Sequence, residues 1–352
     1  MLLATIGFSA ISLSWTPDIS AGIQTLGGFI MAVSSGISLL LLIGDRSEHL
    51  RPFAHGLLVS WCLHGTIALY EILTERHLIS PYGGILAVYQ TTRIEDVIGS
   101  VAWTTFGNPN ELGVFFLLAI SLLATRKTVG LDTRRRYAFV IFLLVAVSVY
   151  IGQSSLDDAR AFRVGIIAIT IVRFVPLSIA HRQAVGVFFL SGWIVVLAAL
   201  LDSPLSSAAS NLFQNVRLDP RYPLAARGIL SSLQRAGLGL GIGSESWLIE
   251  SGVIPTNFHN IYVRVLVELG LVPALLLATF TVAPILRWLL TSTTEARKNR
   301  RVQASRAMMA IAVITGGVTS SSVLANPIWF SFLVLLVVPL GVATVNSEPK
   351  VV

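Results

Sequence analysis

Long apolar runs separated by shorter polar segments make up most of the sequence. A helix needs about 20 predominantly apolar residues to cross the hydrocarbon core of a bilayer. By this measure the runs predict about nine spans, at residues 20–43, 54–73, 111–125, 137–152, 164–180, 184–201, 259–286, 308–324 and 328–345. Residues 1–15 are apolar but too short, and we interpret them as a remnant or an interfacial piece. The pattern predicts an all-α, polytopic transmembrane helical bundle that forms a single integral membrane domain over residues 1–352.

Composition agrees with a membrane protein. The 352 residues are 54% hydrophobic and 12% charged, whereas charged residues make up about 25% of a typical soluble domain. Cys62 is the only cysteine, which excludes a disulfide framework and a thiolate metal site. The formal net charge of +7 is better explained by cytoplasmic loops that face anionic lipid than by a nucleic-acid partner.

One polar stretch, residues 202–258, is much longer than the others, and connections of this length are uncommon unless they are functional. We predict that it is a long loop carrying short helices, since Pro223 opens a run with helical spacing of apolar residues. Its glycine run at 237–243 lacks the GxGxxG spacing of a dinucleotide site, and we interpret it as a turn.

The predicted span at 259–286 begins with a titratable imidazole at the boundary between water and membrane. On a helix that starts near His259, the side chains of His259 and Tyr262 share a face. Arg264 and Glu268 are four residues apart and are predicted to form a buried ion pair. An unpaired charge at mid-membrane would cost at least about 3 kcal/mol.

Basic residues predict the sidedness of the chain. The loops alternate between two sets, which contain 15 and 8 Lys or Arg residues. By the positive-inside rule the richer set is cytoplasmic. The poorer set, at 74–110, 153–163 and 202–258, is therefore extracytoplasmic. It contains arginine but no lysine, which suits bidentate binding of phosphate.

Two segments resemble the signature of a known family. Residues 106–110 read Phe-Gly-Asn-Pro-Asn, and residues 259–270 read His-Asn-x-Tyr-(apolar)-x-x-Leu-x-Glu-x-Gly. Both are similar to motifs of the O-antigen ligase and polymerase superfamily, bacterial membrane glycosyltransferases with a GT-C-like fold. The motif positions that we interpret as structural are Asn108, Asn110, Asn260, Tyr262, Arg264 and Glu268. Among them, Asn110 is also a good N-cap residue for the following helix.

The resemblance implies a reaction in the synthesis of lipopolysaccharide or another polysaccharide of the cell envelope. A glycan would pass from an undecaprenyl diphosphate carrier to a glycan or lipid acceptor, with inversion, at the outer face of the cytoplasmic membrane. His259 would act as the general base, and no metal or other cofactor is implied. Arginines would bind the diphosphate: Arg160, with Arg163 as the alternative, and Arg221, with Arg217 and Arg227 as alternatives.

Three alternatives stay open. A polymerase of the same family would lengthen repeat units by the same chemistry. A membrane transporter would account for Arg173, Arg264 and Glu268 within spans, although the sequence contains no internal repeat and no paired broken helices. Members of the family have more spans than the nine predicted here, which predicts missing N-terminal helices and makes an inactive truncated homologue the third alternative.

Overall fold

The computed structural model confirms that the chain is helical. It describes residues 2–43, 50–74, 109–123, 134–155, 160–174, 181–185, 187, 237–254, 258, 260–290, 294–319 and 326–336. No strand is present among these residues. The all-α prediction is therefore confirmed for this part of the chain.

The helices largely follow the apolar runs. In chain order they are α1 (Leu2–Ser12), α2 (Ile19–Ile43), α3 (Leu50–Thr74), α4 (Pro109–Leu123), α5 (Arg134–Ser155), α6 (Arg160–Phe174), α7 (Ser244–Glu250), α8 (Ile261–Leu269), α9 (Leu271–Leu290), α10 (Thr294–Thr319) and α11 (Pro327–Leu335). A 3₁₀ turn, Leu13–Trp15, follows α1. The basic stretch at 294–306, predicted to be a loop, is the first half of α10. Arginine and lysine are good helix formers, so a basic composition does not by itself end a helix.

Within the described residues, three helices are long and apolar enough to cross a membrane. They are α2, α3 and α9, with 25, 25 and 20 residues; 18-residue stretches within them have mean hydropathies of 2.2, 1.4 and 1.7. These helices suggest a membrane protein. The prediction of about nine spans is not confirmed. The apolar stretches of α4 and α5 are shorter, at Glu111–Leu123 and Val140–Ile151, and most of the predicted span at 184–201 lies outside the described residues.

The predicted continuous span at 259–286 is in fact two helices. They separate at Gly270, which has a φ of +92° and would place a side chain against the carbonyl of Gly237. That carbonyl accepts the N–H of Leu271 at 2.8 Å, so it caps the start of α9. A glycine is needed at position 270 because its backbone is left-handed and also lies against the carbonyl of Gly237.

The sequence Asn-Pro occurs at the starts of α11 and α4, and in both the proline is the first helical residue. Asn326 caps α11 by accepting two backbone N–H groups at 2.9 and 3.1 Å, and Pro327 occupies the first turn. The same pair recurs at positions 108 and 109, and α4 begins at Pro109. Asn110 therefore lies in the first turn of α4 and is not its N-cap, contrary to the prediction. Proline has a φ already suited to the first helical position, which explains the earlier start.

Contacts divide the chain into two compact units, residues 32–175 with 301–352, and residues 1–31 with 176–300. In the first of these, α4 is buried on all sides from Leu112 to Leu123, as expected for a helix that is apolar all round. The indole N–H of Trp61 in α3 donates to Ser148 Oγ in α5 at 3.2 Å.

In the other unit, the N-terminal segment packs against the glycine run at 237–243, which we call the glycine segment. Ser12 Oγ accepts the Ile242 N–H at 3.1 Å, and Thr16 Oγ1 donates to the Ile242 carbonyl at 2.9 Å. The N-terminal segment thus packs within this unit through Ser12 and Thr16. The interpretation of residues 1–15 as a remnant or an interfacial piece did not predict these contacts.

The glycine segment has a left-handed backbone at every second residue. The φ angles of Gly237, Gly239, Gly241 and Gly243 are +76°, +78°, +101° and +81°. The segment also provides hydrogen-bond partners for carbonyl groups at the end of α8. The N–H groups of residues 240 and 241 donate to the carbonyls of residues 267 and 268 at 2.7 and 2.9 Å. It is more than the predicted turn, since it caps the C-terminal end of α8.

We expect Gly241→Ala to destabilise this unit much more than Gly252→Ala. Both glycines have positive φ angles, which cost a non-glycine residue about 1–2 kcal/mol. Only at Gly241 would the added methyl group also lie 2.6 Å from the Thr16 Cα, whereas Gly252 faces open space. Thermal unfolding of both variants in detergent checks this, and equal losses would contradict the packing described for the glycine segment.

Candidate functional site

A buried group of three charged side chains lies at the start of α7 and along α8. The guanidinium of Arg264 pairs through Nη1 with Glu245 Oε2 at 3.3 Å and through Nε with Glu268 Oε1 at 3.2 Å. The exposed fractions of the Arg264, Glu245 and Glu268 side chains are 12%, 7% and 0%. The predicted pair between Arg264 and Glu268 is therefore present, with Glu245 as a second partner. We call these three residues the ion network.

Local structure explains how the network forms. Arg264 and Glu268 are four residues apart and lie on one face of α8. Glu245 is in the first turn of α7, directly after the glycine segment. Its backbone N–H donates to Glu268 Oε1 at 3.3 Å, so backbone and side chain of Glu245 both contact the pair. The network therefore joins α7 to α8.

The charges of the network do not balance, since two carboxylates share one guanidinium. Burial raises the pKa of Glu268, and the negative charge of Glu245 adds to this, while Arg264 opposes both effects. For Arg264, burial lowers the pKa but the two carboxylates raise it above its ordinary value. The guanidinium therefore stays charged, and burial favours the protonated form of Glu268. Among the described residues, Glu268 Oε2 has no hydrogen-bond partner.

Glu245 also fixes the chain just before α8. Its Oε1 accepts the backbone N–H of Phe258 at 2.7 Å. Phe258 is buried in an apolar cluster with Leu240, Leu248, Ile254 and Val267, against which Val263 packs. Hydrogen bonding and apolar burial both hold Phe258 in place.

Asn260 caps α8. Its Oδ1 accepts the N–H groups of Tyr262 and Val263 at 2.9 and 3.2 Å, and the helix begins at Ile261. The predicted helix start near His259 was therefore two residues too early. A helix face shared by His259 and Tyr262 does not follow, because position 259 precedes the cap.

Tyr262 ties α8 to α9. Its hydroxyl donates to Thr281 Oγ1 at 3.2 Å. Burial raises the pKa of Tyr262 to about 12, although the bond to Thr281 lowers it. The phenol is therefore neutral near pH 7 and acts as a hydrogen-bond donor.

The structure does not describe the side chains of the other predicted catalytic and diphosphate-binding residues. His259, Arg217, Arg221 and Asn108 lie outside the described residues. Arg160 and Arg163 lie at the start of α6, where the helix is described but these side chains are not. The placement of these residues on the extracytoplasmic side of the membrane stays a prediction.

Sequence reasoning missed Glu245. The available signal was an acidic residue directly after the glycine segment and before an apolar stretch. Spacing could not reveal its partner, because Glu245 and Arg264 belong to different helices.

Comparisons with protein-family models, with curated proteins and with solved structures find no match to this chain. Within the described ranges, no group of three or more His, Cys, Asp or Glu side chains could hold a metal ion. The arrangement that is present is a buried ion network beside a capped helix start.

We expect Arg264→Met to cost about 3–5 kcal/mol of stability, because removing one partner of a buried ion pair leaves uncompensated charge. Arg287→Met, which removes an exposed arginine at the end of α9, is the matched control. Unfolding in detergent measures both. Adding Glu245→Gln and Glu268→Gln to Arg264→Met should recover part of the loss. Equal effects of the two arginine variants would contradict a stabilising network.

Stability should also depend on pH through Glu268. The pKa of Glu268 is raised in the folded state. Its preference for the protonated form therefore stabilises the fold fully below the ordinary pKa of 4.5, and this stabilisation is lost as pH rises through the folded pKa. The unfolding temperature of Glu268→Gln relative to the parent should therefore increase as pH rises from 4.5. Glu250→Gln, an exposed change on α7, should show no such trend. A difference that is constant with pH would contradict the raised pKa.

Proposed function

We propose that this chain is a membrane glycosyltransferase similar to O-antigen ligases. It moves a glycan from a polyprenyl diphosphate carrier to an acceptor at the outer face of the cytoplasmic membrane. The observation that carries the proposal is the way the chain is held on both sides of His259. Phe258 is bound to Glu245, and Asn260 caps α8. Three apolar helices of spanning length support a membrane setting.

The proposed chemistry is a single inverting displacement. The imidazole of His259 accepts the proton of the acceptor hydroxyl, and the hydroxyl oxygen forms a bond to the anomeric carbon. The bond from that carbon to the diphosphate oxygen breaks, and polyprenyl diphosphate leaves with the electron pair. A neutral imidazole is suited to this step because its pKa is near 6.5. General-base help of this kind is typically worth about 10²- to 10⁴-fold in rate.

The departing diphosphate needs fixed positive charge to stabilise it. The proposal assigns this role to Arg160 and Arg221, with Arg163 and Arg217 as alternatives. Arginine suits the task because its planar guanidinium can bind a phosphate through two hydrogen bonds. The sequence contains no DxD motif that would assign the same role to a metal ion.

Ligation and polymerisation share this chemistry and differ in the acceptor. A ligase uses a lipid or another finished acceptor, whereas a polymerase uses a growing chain of repeat units. The ion network and the cap of α8 serve either reaction equally. The donor is therefore a polyprenyl diphosphate-linked glycan in either case, and an assay with both kinds of acceptor distinguishes a ligase from a polymerase.

The structure gives a transporter function less support than the sequence did. Arg264 and Glu268 favoured it as charges within a span. They are instead paired with each other and with Glu245, in a helix that precedes the candidate span α9. Arg264 is therefore occupied by two carboxylates within the fold, which accounts for its burial without a transported ion.

We expect His259→Ala to reduce glycan transfer by about 10²- to 10⁴-fold, because the reaction loses its base. Arg221→Ala should also reduce transfer, by weakening diphosphate binding. The measurement is transfer from a polyprenyl diphosphate-linked oligosaccharide in membranes, with variants at equal levels and a chelator present throughout. His181→Ala, which changes an exposed histidine, is the control and should transfer like the parent.

Three results of this assay would contradict the proposal. Transfer that His259→Ala retains would remove the base from the mechanism. Activity lost in chelator would show that a metal is required. No transfer by the parent, restored only when additional N-terminal helices are supplied, would support the truncated homologue.

A further inference from the structure

We propose that Glu245 is a positioning residue for His259. Its carboxylate joins the residue that precedes His259 to the helix that follows it. The catalytic consequence of this inference rests on the proposed function. The positioning itself rests on contacts between described residues.

The two carboxylate oxygens of Glu245 have separate partners. Oε1 accepts the Phe258 N–H at 2.7 Å, and Oε2 pairs with Arg264 Nη1 at 3.3 Å. A hydrogen bond to an ionised acceptor is shorter and stronger than one between neutral groups. The side chain of Glu245 is only 7% exposed, so water does not compete well for either contact. One side chain therefore holds two points of the chain that are six residues apart.

The second point leads back to the cap of α8. The backbone N–H of Arg264 donates to the carbonyl of Asn260 at 3.0 Å, in the first turn of the helix. The side chain of Asn260 caps the same turn. Contacts thus run from Phe258 through Glu245 and Arg264 to Asn260. In the chain, His259 alone lies between Phe258 and Asn260. Both covalent neighbours of position 259 are therefore held by contacts with described residues.

A carboxylate is the side chain that meets both requirements. The buried Phe258 N–H needs an acceptor, and the guanidinium of Arg264 needs negative charge. Glutamine would supply the acceptor without the charge. Leucine would supply neither while keeping a similar volume. Comparing the glutamine and leucine variants therefore distinguishes the effect of the hydrogen bond to Phe258 from the effect of the negative charge beside Arg264.

The first test compares Glu245→Leu and Glu245→Gln in the transfer assay, with Glu250→Gln on the same helix as the control. We expect Glu245→Leu to lower kcat per folded molecule by about 10²-fold, because small misplacements of catalytic groups have effects of that size. The KM for the donor should change little. Glu245→Gln should recover most of the rate, since its amide oxygen can accept the Phe258 N–H. A role in stability alone would lower the folded fraction and leave kcat unchanged.

The second test does not need transfer activity. Diethyl pyrocarbonate acylates imidazole, and peptide mass spectrometry gives the rate at each of the 6 histidines separately. In Glu245→Leu, the rate at His259 should move to that of the denatured protein, while the rates at the other histidines stay as in the parent. If Glu245→Leu does not fold, Glu245→Asp takes its place, because it keeps the charge but withdraws the acceptor from Phe258.

The two proposals fail in different ways. An unchanged rate of acylation at His259 in the folded variants would overturn the positioning role, whatever the transfer assay gives. Transfer that His259→Ala retains would overturn the proposed function, and a shifted acylation rate would still support positioning by Glu245.

Discussion

The structure around the candidate site depends on one buried guanidinium. Arg264 is removed from water, and such a charge is tolerated only when carboxylates and hydrogen bonds replace its hydration. Glu268 provides one carboxylate from the same helix and Glu245 provides another from α7. Meeting this requirement brings α7, α8 and the chain at Phe258 together. The ion network therefore organises the segment as well as neutralising its charge.

The glycine segment makes this arrangement sterically possible. Its backbone passes so close to the end of α8 and to the N-terminal residues that side chains at Gly239 or Gly241 would overlap neighbouring backbone. In return its N–H groups satisfy carbonyls at the end of α8. The left-handed angles of these glycines allow the segment to cap the C-terminal end of α8, while the ion network joins the same helix to α7.

Sequence reasoning succeeded where the determinants are local. Apolar length predicted α2 and α3 within a few residues, and helical spacing predicted the pair between Arg264 and Glu268. It failed where a distant contact decides the outcome. The break at Gly270 depends on the carbonyl of Gly237, and the role of Glu245 depends on a partner in another helix. The proposed roles of His259 and the arginines come from the resemblance and stay predictions.

The most direct test of the central claim is an experimental structure of the protein in a lipid nanodisc with a polyprenyl diphosphate-linked glycan bound. We predict that the diphosphate contacts arginine at the outer face and that the His259 imidazole faces the anomeric carbon. We also predict that Glu245 still bridges Phe258 and Arg264. A donor bound away from position 259, or an open ion network beside a bound donor, would contradict the account.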